Sequence, residues 1–257
     1  MTTRTPNSQT KIYTVIGVLI IPAAWLLCAD LLELASPVLL PPLTSVISRL
    51  GKIIENGSLI TDLYNTTYRW AVGFTLGVIL GILLGLVLGI STRIRAALDF
   101  PIEFFRTMPV TAIFPLFLII FGIDDPSKIA MAFTPTFLLM VVNTTYGVTL
   151  ADPTRRKMAQ VFGANRFQIF KNIVAMDALP QIFLGLRLAL TQSLIVTVVS
   201  EMFIGTDYGL GQRVYDSYLT NSITTLYALL IVLGLIGYFA NKVLVTIEKR
   251  MIFWTGK

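Results

Sequence analysis

The chain has 257 residues, of which 55% are hydrophobic and 13% charged, with a formal net charge of +6. A water-soluble domain carries roughly 25% charged residues, so an ordinary soluble core is excluded. With no histidine and one cysteine, Cys28, a single chain also cannot build a His- or Cys-based metal site, a thiol catalyst with a histidine base, or a disulfide framework.

Apolar runs matching the ~20 residues of a bilayer crossing are predicted at 12–34, 66–90, 103–122, 128–149, 180–204 and 224–247. These are about six transmembrane helices of an all-α, polytopic membrane protein, with a tail at 1–11 ahead of a membrane domain at 12–257. Arg4 and Lys11 give the N-terminus the look of a signal-peptide n-region. The apolar run that follows is long and lacks a clear cleavage site, so it is read as a permanent helix. Cys28 inside it is expected to be a small buried hydrophobe.

Residues 35–62 open with Ser36-Pro37 and Pro41-Pro42, then set Val46, Ile47, Leu50, Ile53 and Ile54 at helical spacing, which predicts an amphipathic helix on the outer membrane surface. In the second span, Gly73, Gly77, Gly81, Gly85 and Gly89 recur every fourth residue. Such a row leaves a smooth groove for close packing of another helix. Pro109 and Pro115 are expected to kink or unwind the third span.

The segment from Arg155 to Asn172 is too charged to span. Met158, Val161 and Phe162 fall on one helical face, and Ile169, Phe170 and Ile173 on a second one after Gly163. Asn165 can cap the second piece with Gln168 in capping-box position. A helix–turn–helix results, either resting on lipid headgroups or docking a soluble partner through its apolar side chains. Near the end of the fifth span, residues 205–222 form a loop or short re-entrant helix with Gly205, Gly209 and Gly211 and three tyrosines.

Lysine and arginine set the orientation. With the N-terminus inside, thirteen of the twenty basic residues fall in inner segments, against four outside: Arg49, Lys52, Lys128 and Arg213. The positive-inside rule then puts both termini in the cytoplasm. The placement of basic residues at the ends of apolar segments, rather than in one patch, argues for a lipid bilayer and against nucleic acid.

Arg69, Arg106 and Arg187 lie within spans. Charges there are paired or functional. Glu201 lies at a depth similar to Arg69, so the two are plausible partners, as a structural salt bridge, an outer gate or a cationic contact for an anionic substrate. Arg187 is expected to snorkel to headgroups or brace the cytoplasmic helix. Arg106, beside the proline break, is the better candidate for the pathway.

The region 157–180, followed by Gly185-Leu-Arg187, resembles the EAA loop of binding-protein-dependent ABC importer permeases. Ala159, Gly163 and Ile173 stand in register, and Ala164, Gln168 and Phe170 suit the pattern. Lys157 replaces the expected glutamate, and Ala175-Met176 replaces Leu-Pro. The order of Pro41-Pro42, the glycine row, Arg106-Thr-Met-Pro109, Ser127-Lys128, Ala151-Asp152 and Glu201 with Gly209-Leu-Gly211 is similar to the nitrate/sulfonate/taurine/bicarbonate subfamily.

The resemblance implies a type I importer-like fold in a bacterial inner membrane, working by alternating access. A second permease copy or a paralogous permease would complete the pathway, cytoplasmic ATP-binding subunits would dock on the coupling region 153–175, and an extracytoplasmic substrate-binding protein would dock outside. Ala159, Phe162, Gly163, Ala164, Phe167, Gln168 and Phe170 are the implied ATPase-coupling residues. The chain has no phosphate-binding Gly-x-x-x-x-Gly-Lys-Ser/Thr loop, so no cofactor is expected on it, and ATP and Mg belong to the partner. The substrate class implied is small and anionic, open between nitrate, bicarbonate, sulfonates and others. The departures from the EAA pattern raise a heterodimer with a more regular permease. The rivals are a secondary transporter or channel not driven by ATP, which would need a midplane ionisable relay or internal repeats, and a membrane enzyme, which would need convergent catalytic groups.

Overall fold

A computed structural model describes residues 8–32 and 36–255. Arg4 and Lys257 lie outside the described residues. The described chain forms eleven α-helices joined by short 3₁₀ and π segments. Four helices are long and apolar enough to cross a membrane, and a bent helix pair makes a possible fifth span. The first expected span, 12–34, corresponds to α1 (Ser8–Trp25) and a π-helical continuation to Leu31. Its apolar part, Leu19–Leu31, is shorter than a crossing among the described residues.

The chain divides into two compact units. The first comprises residues up to Ile60 and Arg213–Val232. It contains the amphipathic helix α2 (Leu43–Glu55), whose Val46 and Ile53 are buried while Ile47 and Ile54 stay exposed. Pro42 precedes α2 and has no capping side chain, so Asp30 supplies one from a distance. Its carboxylate accepts from Leu43 N at 3.0 Å and from Thr44 Oγ1 at 3.2 Å. Trp25 donates to Pro41 O and packs edge-on against Tyr227.

The second unit, Thr61–Gln212 with the chain from Leu233, is built on three long helices. These are α3 (Ser58–Ile90), α6 (Asp125–Thr149) and α9 (Ala175–Ile204). A Cβ added to Gly73, Gly77, Gly81, Gly85 or Gly89 would lie 2.5–2.6 Å from the Cβ of Ala132, Thr136, Met140, Thr144 or Val148, in that order. Both series advance by four, so α3 and α6 run parallel with one register along the whole row. No side chain fits between them, and the helices gain close backbone packing in return. On its other side α6 meets α9 antiparallel, with Gly185 against Asn143 and Gly147 against Ala178.

Helices α4 (Thr92–Thr107) and α5 (Phe114–Phe121) form the bent pair, with an angle of 90° across the break. Pro109 disfavours helical geometry at the residue before it, and Met108 is extended, with φ −71° and ψ 131°. The third expected span therefore breaks at Pro109. Pro115 sits in the first turn of α5, where its missing N–H costs nothing.

The charged segment between α6 and α9 folds as α7 (Pro153–Val161), a turn at Gly163 with φ +80°, and α8 (Arg166–Ile169). The Asn165–Gln168 capping box is present in both directions. One feature differs from the expectation of two short pieces: α8 continues through a π segment, Phe170–Val174, into α9 as one rod of 39 residues. The rod runs on through Ala175-Met176 and through Leu179-Pro180, with Pro180 inside α9. The chain closes with α10 (Leu210–Leu219) and α11 (Ile223–Met251).

Candidate functional site

At the end of the three-helix core where α6 begins, Arg69 is 4% exposed and Glu201 fully buried. Arg69 Nη1 donates to Glu201 Oε1 at 2.7 Å and to Tyr208 O at 2.8 Å; Nε donates to Asp125 Oδ1 at 2.7 Å and Nη2 to Thr206 Oγ1 at 3.0 Å. Glu201 Oε2 accepts from Thr66 Oγ1 at 2.8 Å and from Gly211 N at 2.9 Å. A buried ion pair is tolerable only when its remaining hydrogen-bonding atoms find partners, and here they do, from α3, α6, the loop after α9 and the start of α10. A Cβ on Gly209 would fall 2.8 Å from the Glu201 carboxyl carbon, so the glycines let loop backbone reach the carboxylate.

The sequence pairing of Arg69 with Glu201 omitted Asp125, Asp62 and Thr66. Asp62 Oδ1 accepts from Gly209 N at 2.9 Å, and Thr66 Oγ1 also accepts from Leu210 N at 2.8 Å. Asp62, Thr66 and Arg69 share one face of α3 at i, i+4 and i+7, a polar stripe that helical spacing could have revealed. Lys128, expected in an outer segment, is 1% exposed and folds back onto the carbonyls of Ile123 at 2.5 Å and Asp124 at 3.4 Å, pinning the turn that carries Asp125.

Arg106 is not part of this cluster. It lies on the last turn of α4, paired with Glu103 through contacts of 2.9 and 2.5 Å, both side chains about half exposed. The α4–α5 break opens beside it into a cavity of about 430 Å³ lined by Arg106, Met108, Pro135, Leu138, Leu188 and Gln192 among others. Arg187 pairs with Glu248 of α11, so it braces two helices of its own chain.

At the opposite end of the core, the α7–α8 segment divides sharply. Val161 and Phe162 are 86% and 85% exposed, and Phe167 is 70% exposed. Ala159, Ala164 and Phe170 instead pack on the core cluster around Ile169 and Val174. Phe170 thus faces its own protein, because the second piece is the foot of α9. The segment is braced from below. Asp177 accepts from Asp152 N at 3.2 Å and pairs with Arg155 at 2.9 Å, and Arg156 donates to Val148 O at 2.7 Å. The only sequence signal for Asp177 is an acid in the first turn of a helix that follows a basic run. Asp152 caps α7, and the Thr154 N–H at 2.8 Å, aided by Arg155, holds its carboxyl below the usual aspartate range. Among the described residues there is no cluster of three or more His, Cys, Asp or Glu suited to a metal.

Residues 77–253 match the family model described as binding-protein-dependent transport system inner membrane component. A probable ABC transporter permease protein of Brucella melitensis is 33% identical, covering 87% of this chain and 91% of the relative. A putative aliphatic sulfonates transport permease protein of Bacillus subtilis is 30% identical over 91% and 84% of the two chains. Among solved structures, the MetNI methionine ABC transporter in an inward-facing form shares the fold, with a TM-score of 0.66 at 16% identity, covering 77% of this chain and 97% of that one.

Proposed function

The chain belongs to the binding-protein-dependent transport system inner membrane components, and from that premise we propose how its geometry serves import. It is the permease subunit of an ABC importer, within the nitrate, sulfonate and taurine subfamily, and the ATPase of such importers is a separate subunit.

In our reading the α7–α8 end faces the cytoplasm, with both termini on that side, and the Arg69–Glu201 end faces outward toward a substrate-binding protein. Val161, Phe162 and Phe167 fill a groove on a cytoplasmic ATP-binding subunit, which holds ATP and Mg. When two such subunits close, Asp177, Arg155 and Arg156 carry the motion into α6 and α9 as rigid bodies. The observation that carries this reading is the exposure of Val161 and Phe162 on a segment braced so firmly from beneath. Large apolar side chains held out on a fixed support fit a partner surface.

The Arg69–Glu201 cluster is assigned to the outer gate region as a structural clamp, since Arg69 makes four hydrogen bonds within it. A small anionic solute is the substrate class favoured by the sulfonate-transporting relative. The changed EAA positions, Lys157 and Ala175-Met176, favour a second, more regular permease as partner. Gentle extraction of the tagged chain from native membranes, followed by mass spectrometry, tests the assembly. A near-stoichiometric ATPase, with a second permease beside it, is expected. Two copies of this chain and no other permease would remove the heterodimer. Absence of any ATPase across several mild detergents would favour a secondary transporter.

A further inference from the structure

The cavity at the α4–α5 break has a composition that bears on the solute. Leu138 lies near the middle of α6 and Gln192 at the middle of the span 180–204, so the cavity sits at mid-membrane depth. Most of its wall is apolar, from Met108, Pro135, Leu138 and Leu188 among others; its polar side chains are Arg106, Gln192 and Thr107, and the Thr107 hydroxyl is already donated to Phe104 O. The Arg106 guanidinium is already matched by Glu103, which takes its Nε and Nη2 donors.

A bare inorganic oxyanion entering here would leave its hydration shell and find a cation that is already neutralised. That exchange is unfavourable without a compensating charge. A solute with an apolar body gains from the walls in proportion to the area it buries. Its polar end can use the Gln192 amide and the remaining Arg106 N–H groups. The volume of about 430 Å³ falls within the ~300–1,000 Å³ of small-molecule sites and far exceeds a single oxyanion.

We propose that this cavity is the intramembrane subsite for solute, and that it selects an organic solute with an apolar body and one polar or anionic end over a bare inorganic oxyanion. The proposal rests on the permease reading. Gln192 and Arg106 position the polar end, and Leu138 and Leu188 set the specificity for the body.

The test uses the intact, nucleotide-free complex in lipid nanodiscs. Cys28→Ser removes the native thiol and Leu139→Cys, at a lining residue to which the proposal gives no role, introduces a reporter, with Val110→Cys as the alternative across the cavity. The rate of maleimide labelling is measured with benzenesulfonate, hexane-1-sulfonate, nitrate or bicarbonate at equal concentration. At ten times its dissociation constant, an organic probe should slow labelling about tenfold, nitrate and bicarbonate should leave it unchanged, and Gln192→Leu should weaken the protection. Equal protection by nitrate or bicarbonate, or protection by none of the four, overturns the proposal. So does a reporter blocked in nanodiscs without any solute but open in detergent, which would assign the cavity to a lipid chain. ATP hydrolysis by the same preparation separates the two readings. If it persists while protection fails, the subsite is wrong and the permease assignment stands.

Discussion

Arg69 Nη1 and Glu201 Oε1 lie 2.7 Å apart, yet the two residues are not equally dependent on each other. Without Glu201, Arg69 keeps Asp125, Tyr208 O and Thr206. Without Arg69, Glu201 keeps only neutral donors, Thr66 Oγ1 and Gly211 N, at a site with no solvent exposure. Arg69→Met should therefore cost about 3–5 kcal/mol, as expected for an uncompensated buried charge, and Glu201→Gln distinctly less. The double variant should be milder than the sum of the two. Thermal unfolding of the purified protein in detergent checks the order, and equal losses for the two single variants would contradict it.

The glycine row makes a steric prediction with an internal control. An alanine at Gly81 would bring its Cβ to 2.5 Å from Met140 Cβ and 2.9 Å from Phe137 O. Overpacking of this kind costs typically 1–3 kcal/mol. Gly234 on α11 has nothing within 4 Å of its added Cβ, so Gly234→Ala should be neutral or stabilising by up to about 1 kcal/mol. A comparison of melting temperatures for the two variants tests the parallel α3–α6 register directly.

Phe162 and Phe170 should separate under the same substitution. Phe170 packs on the core around Ile169 and Val174. Phe170→Asp should lose about 3 kcal/mol or more of stability and lower the amount of folded protein in the membrane. Phe162→Asp should leave that amount unchanged. Quantitative fluorescence-detected gel filtration of tagged variants reads both.

The cap on α7 gives a pH dependence with a definite sign. The Asp152 carboxyl is held low by the Thr154 N–H. Its folded value lies below the unfolded one, near 3.9. Its stabilisation is thus fully present above about pH 4 and is lost as pH falls through the lower folded value. Hydrogen exchange in 153–161 should be steady at neutral pH and rise only under acid conditions. Asp152→Asn, which can still accept a hydrogen bond, should remove most of that pH dependence.

Features written in local sequence were legible without the structure. The Pro109 break follows from the geometry that proline imposes on its predecessor, the Asn165–Gln168 box from three-residue spacing, and the glycine row from its own repeat. Similar depth in two spans is enough to pair Arg69 with Glu201, but the other partners distant along the chain carry no such cue. Asp125 reaches Arg69, and Asp177 reaches Arg155, only because α3, α6 and α9 pack as they do. Helical spacing alone puts Phe170 on an outward face of a separate short piece. The continuous rod from Arg166 to Ile204 turns that side chain toward the core.

In the proposed mechanism the braced, exposed apolar surface of the α7–α8 segment couples this permease to its ATPase. The most direct measurement is solute transport and ATP hydrolysis by the reconstituted complex carrying Phe162→Asp or Phe167→Asp. Each variant should insert normally but lose its bound ATPase, or hydrolyse ATP without transport. Transport at the wild-type rate with a stoichiometric ATPase in both variants would contradict it.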